Sequence, residues 1–273
     1  MNQTMHISFI GGGNMASAIL GGLKKQAFNM SAICVIEPDA EKRLGLSKQF
    51  GVATAQHIAD IPTASQVLVL AIKPQQMQAV CTQLNGQLKQ QLVISIAAGI
   101  RTKELSRWLH GHAAIVRVMP NTPAQIQAGV SALYALPSVN ASQREQAKSI
   151  LAAVGTSLWL DEEEKMDAVT AISGSGPAYV FYLIEALQDA AINLGLAPED
   201  AKLLALETFA GASLLARQST VDIQELRAQV TSKGGTTEQG IHSLESAHIK
   251  DIILAAARAA AKKSKLLGDE LAD

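Results

Sequence analysis

The stretch "ISFIGGGNMASAILGGL", Ile7 to Leu23, decides how the rest of the chain is read. A short run of β-forming residues meets three glycines, and an amphipathic helical pattern starts at once. Gly11, Gly13 and Ala16 stand in the order GxGxxA between that predicted strand and that predicted helix. Glycine-rich turns are common, and a plain strand-to-helix turn is the alternative; the placement is what gives this one chemical meaning. Gly11 permits the tight turn, Gly13 lets the backbone approach a pyrophosphate, and Ala16 lets the helix lie close to the strand. The free N–H groups of the helix start then face the anion. The segment Gly11, Gly12, Gly13, Asn14 and Met15 is therefore expected to hold a dinucleotide.

The pattern continues outward from there. Runs of β type, "HISFI", "ICVI", "VLVLAI", "LVISIAA" and "AIVRVM", alternate with helical stretches at Asn14 to Gln26, Ala40 to Phe50, Pro74 to Leu84 and Thr102 to Leu109. Such alternation predicts an α/β, doubly wound and mainly parallel sheet, and the continuously apolar runs fit strands covered on both faces. "GVSALYA" and "TSLWL" read as edge strands flanking a helix over Ala141 to Ala153, which ends the sheet near Leu160. Beyond it the β runs stop. Helical spacing covers Pro177 to Leu194, Pro198 to Arg217, Asp222 to Gln229, Thr237 to Glu245 and Ile249 to Leu267, so residues 161–273 are expected to form an all-α domain after a dinucleotide domain at 1–160. Pro177 and Pro198 suit first helical positions, and "DEEE" at 161 to 164 suits a helix start. The weakly charged apolar stretch Tyr179 to Leu187 predicts a homodimer built on these helices.

Composition narrows the classes. The 273 residues are 48% hydrophobic, which is ample for a buried core, and the net charge is -1 with 4% aromatics, so no nucleic-acid surface is expected. Neither a signal peptide nor an apolar run of membrane-spanning length is present, which predicts a cytoplasmic protein without a membrane partner. Cys34 and Cys81 are isolated in apolar patterns and read as buried reduced thiols; the histidine spacings do not suit a metal.

Two sites carry the chemistry. Glu37 ends the second strand at the position where a carboxylate accepts hydrogen bonds from an adenosine ribose, which favours NAD; Lys42 and Arg43 follow and work the other way, and a solvated strand-end residue is the alternative. The stretch "QVTSKGGTTEQGIHSLE", Gln229 to Glu245, places two glycines before a new helix, so its N–H groups converge on an anion unless it is only a cap between helices.

The motifs "FIGGGNMA", "LAIKPQ", "SIAAGI", "RVMPNTP", "ISGSGPAYVF" and "VTSKGGTTEQGI" occur in the order and spacing of the pyrroline-5-carboxylate reductases, which the chain resembles over nearly its whole length. The resemblance implies an N-terminal Rossmann domain and a C-terminal helical domain that intertwines with a partner, with dimers assembled into a larger ring. It implies reduction of 1-pyrroline-5-carboxylate to L-proline, and NADPH as the preferred cofactor with NADH possible; Glu37 departs from the small or polar residue common at its position.

The anion of the Gln229 to Glu245 loop is then the substrate carboxylate. The N–H groups of Gly235, Thr236 and Thr237 and the Ser232 hydroxyl are expected to hold it, fixing the ring against the nicotinamide. The Thr237 hydroxyl is expected at the ring nitrogen, orienting it or also relaying a proton from water; a threonine is too weak an acid to be the ultimate proton source. Ser175 opens the long helix as an N-cap or borders the substrate cleft. On the cofactor side stand Ala71, Ile72, Lys73 and Pro74 at one strand end, with Lys73 reaching ribose or phosphate or merely ending the strand. Ala97, Ala98 and Gly99 are small enough not to obstruct the nicotinamide, and Asn121 is an amide partner for it or a turn residue. The 3-hydroxyacid dehydrogenases share this architecture but depend on a lysine early in the first long helix, and "SGSGPAYVFYLIEAL" has none. A binding protein that senses dinucleotide without catalysis is the remaining rival.

Overall fold

The computed structural model describes residues 5–271; the ends of the expected domain limits, residues 1–4 and 272–273, lie outside them. Strands β1 (Ile7–Ile10), β2 (Ile33–Ile36), β3 (Ala53–Ala55), β4 (Val67–Leu70), β5 (Leu92–Ser95), β6 (Ile115–Met119), β7 (Gly129–Ala135) and β8 (Gly155–Trp159) form one sheet in the order 3-2-1-4-5-6-7-8. Neighbours are parallel except β6 and β7, which are antiparallel. Strand order reverses between β1 and β4, which is where open α/β sheets bind ligands.

The two-residue period of a strand sends successive side chains to opposite faces, and both faces are covered. Phe9, Val35 and Val69 pack with Ala16, Ile19 and Leu23 of α1 (Asn14–Lys25), and this face also takes Leu46 of α2 (Ala40–Phe50). Cys34, Ile36, Leu68 and Leu70 face the other way, onto Met77 and Cys81 of α3 (Met77–Gln83) and Leu105 and Trp108 of α4 (Thr102–Trp108). Ile150 and Leu151 of α5 (Ala141–Ala152) complete the first face. Both cysteines are buried free thiols. Burial pushes the Cys81 thiol up to about 12 and raises that of Cys34 as well.

Three features depart from the sequence expectation. β7 is interior, paired with β6 on one side and β8 on the other, so only β8 is the edge there. Its residues look like an edge strand because the antiparallel reversal after β6 is made by long-range pairing, which local pattern does not encode. The opposite edge, β3, is three residues of Ala and Thr and carries no apolar run. Finally, α6 (Lys165–Val169) passes through a π-helical turn, Thr170–Gly174, into α7 (Gly176–Asn193). Ser175 has helical backbone angles and donates its N–H to Thr170 O at 2.8 Å, five residues back, so it is not an N-cap; Pro177 stands in the first turn of α7, one residue after its start at Gly176. The wide turn lies directly ahead of Pro177, whose missing N–H and ring would otherwise break a regular α-helix.

The chain divides into two compact units: one runs to Ser175 and resumes at Ala260, and the other is Gly176–Ala259. The division falls after the expected limit at 160 because α6 lies against β7 and Met166 and Ala171 are buried. The second unit holds α7, α8 (Pro198–Gln218), α9 (Ile223–Gln229), α10 (Thr236–Ser246) and the first part of α11 (Ile249–Glu270). There α7 and α8 pack on each other; Ala201 and Ala205 are buried in α8, and no residue of α7 is buried.

Candidate functional site

At the switch point between β1 and β4 lies a cleft of about 820 Å³. Gly11, Gly12, Gly13, Glu37, Ala71, Ile72 and Lys73, expected at the cofactor from sequence, all line it. Gly11 has φ +96°, and a Cβ there would stand 2.6 Å from Ala71 O, so the turn passes too close to β4 for any side chain. Gly13 differs: its backbone angles are ordinary, yet a Cβ there would meet nothing within 4 Å, because it would point into open space. Gly13 is also the N-cap of α1 and no side chain caps that helix end. The first-turn N–H groups of α1 are thus without a side-chain acceptor beside a cavity, which is the arrangement a pyrophosphate needs. A dinucleotide fits these residues.

Glu37 is 8% exposed. Its carboxylate accepts from Gly12 N at 3.0 Å and Asp39 N at 3.1 Å, one bond to each oxygen, so it is a fixed group of the cleft wall and not a solvated strand end. Each oxygen keeps acceptor capacity for a ribose hydroxyl. Arg43, which could have answered a 2′-phosphate, donates Nη1 to the carbonyls of Glu37 and Pro38, each at 2.7 Å. Lys42 and Lys73 are the cationic side chains lining the cleft. The backbone N–H of Lys42 holds the Asp39 carboxyl below the usual carboxylate range and so fixes the start of α2 beside the cleft.

Asn14, Met15, Pro74, Ala97, Ala98, Gly99 and Asn121 are not among the cleft's walls. Ala98 is exposed while Ala97 and Gly99 are buried. Asn121 fills the turn role: its Oδ1 accepts from Val130 N at 2.9 Å and its Nδ2 reaches Ser173 Oγ at 3.4 Å, bracing the segment after β6 against β7 and the π turn. Local sequence did not mark Gln56, His57, Ile58 and Ala59, which also line the cleft. They flank the short β3, and the signal that could have found them, the "HIAD" turn, is weak.

In the helical unit the loop before α10 is built from its own backbone. Gly235 is the N-cap of α10, and its N–H donates to Ser232 O at 3.0 Å; Gly234 N donates to Glu238 Oε2 at 2.8 Å. This corrects the expectation for Gly235, whose N–H is committed to closing the turn and does not hold an anion. Thr236 and Thr237 open the helix, where an α-helix has no acceptor of its own for the N–H, and both are exposed. Ser232 is exposed on the same turn. Ser175 belongs to the sheet-bearing unit and Ser232, Gly235, Thr236 and Thr237 to the helical one. Among the described residues no three His, Cys, Asp or Glu side chains could hold a metal ion, and no helix is long and apolar enough to cross a membrane.

Residues 163–267 match the family model for pyrroline-5-carboxylate reductase dimerisation, and residues 6–99 match one described as NADP oxidoreductase, coenzyme F420-dependent. A pyrroline-5-carboxylate reductase of Pseudomonas aeruginosa is 45% identical over 270 residues, 98% of this chain and 99% of its own. Among solved structures, a pyrroline-5-carboxylate reductase from Coxiella burnetii superposes with a TM-score of 0.93 at 42% identity, over 97% of this chain and 98% of that one. A Plasmodium falciparum pyrroline carboxylate reductase with NADP bound gives 0.86 at 30% identity, over 97% and 99%. With identity of this order running end to end, and with the glycine cleft and the α10 loop both in place, the chain belongs to the pyrroline-5-carboxylate reductase family.

Proposed function

We propose that the protein reduces 1-pyrroline-5-carboxylate to L-proline with a reduced nicotinamide dinucleotide, the last step of proline biosynthesis. The observation that carries this reading is the open, uncapped α1 terminus at Gly13, on a chain that matches reductases of this substrate over nearly its full length. When bound, the nicotinamide supplies the hydride that turns the C=N bond into an amine.

The chain's own residues bind and orient. Gly11 to Met15 take the pyrophosphate on the α1 terminus; Ala71 to Pro74 line the sheet's carboxyl end, and Ala97 to Gly99 with Asn121 border the nicotinamide side. The N–H groups of Thr236 and Thr237, with the Ser232 hydroxyl, take the substrate carboxylate. Gly235 contributes by forming the turn that aims them. Ser175 borders the substrate. The Thr237 hydroxyl accepts the N–H of the protonated ring nitrogen and sets the ring's orientation. The substrate brings that proton itself, so no strong acid is required of the protein.

NADPH is the preferred cofactor in this reading, supported by the NADP-bound relative, and NADH is accepted. Glu37 narrows the margin, since its fixed carboxylate offers the ribose two acceptors and repels a 2′-phosphate. Residues 161–273 serve substrate binding and pairing in a homodimer, and dimers join into a ring. The exposed apolar side chains of α7 and the dimerisation model support the pairing. The protein works in the cytoplasm, where Cys34 and Cys81 stay reduced.

The test mixes the purified protein with 1-pyrroline-5-carboxylate and either reduced cofactor. Loss of the nicotinamide absorbance with formation of proline is expected, faster with NADPH. Absence of any loss with both cofactors, while dinucleotide still binds, would leave a sensor in place of an enzyme.

A further inference from the structure

The end of the chain returns to the loop that follows β5. Gly99, in that loop, has φ +80°, and a Cβ on it would lie 3.5 Å from Leu271 Cδ1 and 3.6 Å from Gly268 N. A Cβ on Gly268 would stand 2.9 Å from Gly99 O, closer than real Cβ atoms come, so helix α11 and the loop meet backbone to backbone. Ser264, Gly268 and Leu271 are four and then three residues apart, hence on one face of the helix. Ser264 is buried and donates Oγ to Asp167 Oδ1 at 2.7 Å, and Leu271 packs against the core on that side of the sheet. An ion pair closes the contact, Arg101 Nη2 to Asp269 Oδ1 at 2.7 Å.

The loop is held from its other end as well. Thr102 donates its N–H to Glu163 Oε1 at 2.8 Å and its hydroxyl to Glu163 Oε2 at 2.6 Å, and the buried Arg117 holds the same carboxylate at 3.0 Å. Glu163 satisfies the start of α4, Ala97 is anchored in the core with its N–H toward Ser95 Oγ at 3.4 Å, and the Gly99 end of the preceding turn rests on the helix end. Residues 268–271 lie outside both stretches that family models match.

We infer that the last turns of α11 are a positioning clasp for the loop Ala97 to Gly99, with Gly268 as its critical residue and the Arg101–Asp269 pair as its latch. The inference rests on the reading that this loop borders the nicotinamide. Gly268 touches neither cofactor nor substrate; it acts by setting the height of the Gly99 carbonyl. A side chain at Gly268 lifts the loop, carries Ala98 with it, and displaces the nicotinamide from its reactive position while the pyrophosphate stays on α1. Displacement of about 1 Å at reacting atoms costs on the order of a hundredfold in rate. The latch alone contributes little, because both its side chains are partly exposed and such pairs are weak.

The experiment uses full-length Gly268→Val, Asp269→Ala and Ala98→Val proteins. Turnover is measured beside calorimetric affinity for NADP+ and for ADP-ribose or its 2′-phosphate, which keep the adenine and pyrophosphate end but lack the nicotinamide. Gly268→Val is expected to lower kcat by about ten- to a hundredfold and to weaken NADP+ binding while ADP-ribose binding is unchanged. Asp269→Ala should move the same quantities in the same direction by less. Parental turnover in Gly268→Val overturns the clasp, and so does loss of ADP-ribose affinity in step with turnover, which marks a general fold defect. Ala98→Val separates the two ideas. If it disturbs turnover and Gly268→Val does not, the clasp fails alone; if Ala98→Val changes neither turnover nor NADP+ binding, the nicotinamide-side reading of the loop fails and takes the clasp with it.

Discussion

Leu70 and Phe181 are both large apolar side chains within regular elements, yet Leu70 is 0% exposed in β4 and Phe181 is 66% exposed in α7. The contrast runs through both units. Strands β1, β2, β4 and β5 are buried at every residue, with helices over both faces. In the helical unit Tyr182 is 71% exposed, and Leu203, Leu215, Ile252 and Ile253 are exposed too. A helical unit of this kind does not close a core within one chain. The central strands complete their hydrophobic burial within the chain; the helical unit leaves apolar surface of the extent that marks an interface.

The comparison can be broken or sharpened by substitution. The largest effect is expected from Gly13→Val, which should abolish dinucleotide binding while leaving the melting temperature close to that of the parent. A Cβ there meets no protein atom within 4 Å, and the added side chain would fill the space proposed for the pyrophosphate. Normal NADPH binding by fluorescence titration would mean that the self-sufficient unit does not bind its ligand at this mouth.

Next in size, Phe181→Glu should convert the oligomer to monomer in light scattering, since an uncompensated charge replaces an apolar anchor at the interface. Its matched control is Leu70→Ala, expected to cost about 2–5 kcal/mol of stability through a cavity in a closed core. The Leu70→Ala loss should not depend on protein concentration, whereas the stability of the helical unit should rise with it. A stable monomeric parent at micromolar concentration removes the comparison altogether.

Thr237→Ala probes the chemistry of the open unit. Catalytic efficiency should fall by about ten- to a hundredfold, one hydrogen bond to a charged group. Cofactor affinity should hold, and carboxylate binding should weaken less than catalysis because the backbone N–H groups stay. Parental rates in both Thr237→Ala and Ser232→Ala would reduce the loop to a helix cap.

The smallest effect is expected at the wall of the closed unit. Glu37→Ser should shift the ratio of efficiencies toward NADPH by about 1 kcal/mol, roughly fivefold, by removing a charge near the 2′-position. It should also lower stability slightly, since the Gly12 and Asp39 N–H groups lose their acceptor. An unmoved ratio would mean that Glu37 serves the loop's structure alone.

Much of this was written in the local pattern. The order of strands and helices, the GxGxxA turn, Glu37 at the second strand's end and the glycine pair before α10 are all short-range signals, because strand and helix periods, caps and tight turns are set within a few residues. Long-range facts were not. The interior place of β7 depends on a partner far along the chain, and the commitment of the Asn121 side chain to Val130 and Ser173 depends on three-dimensional closure. The contact of Gly99 with Gly268 is likewise a product of packing. The sequence alone determined most of the element order and which residue types stand at the turns and helix starts, since those follow from residue type and spacing. Only the tertiary structure decided which N–H groups and side chains are already spent inside the protein and which are left for a ligand, because a hydrogen bond is a matter of distance between atoms that the chain brings together from far apart.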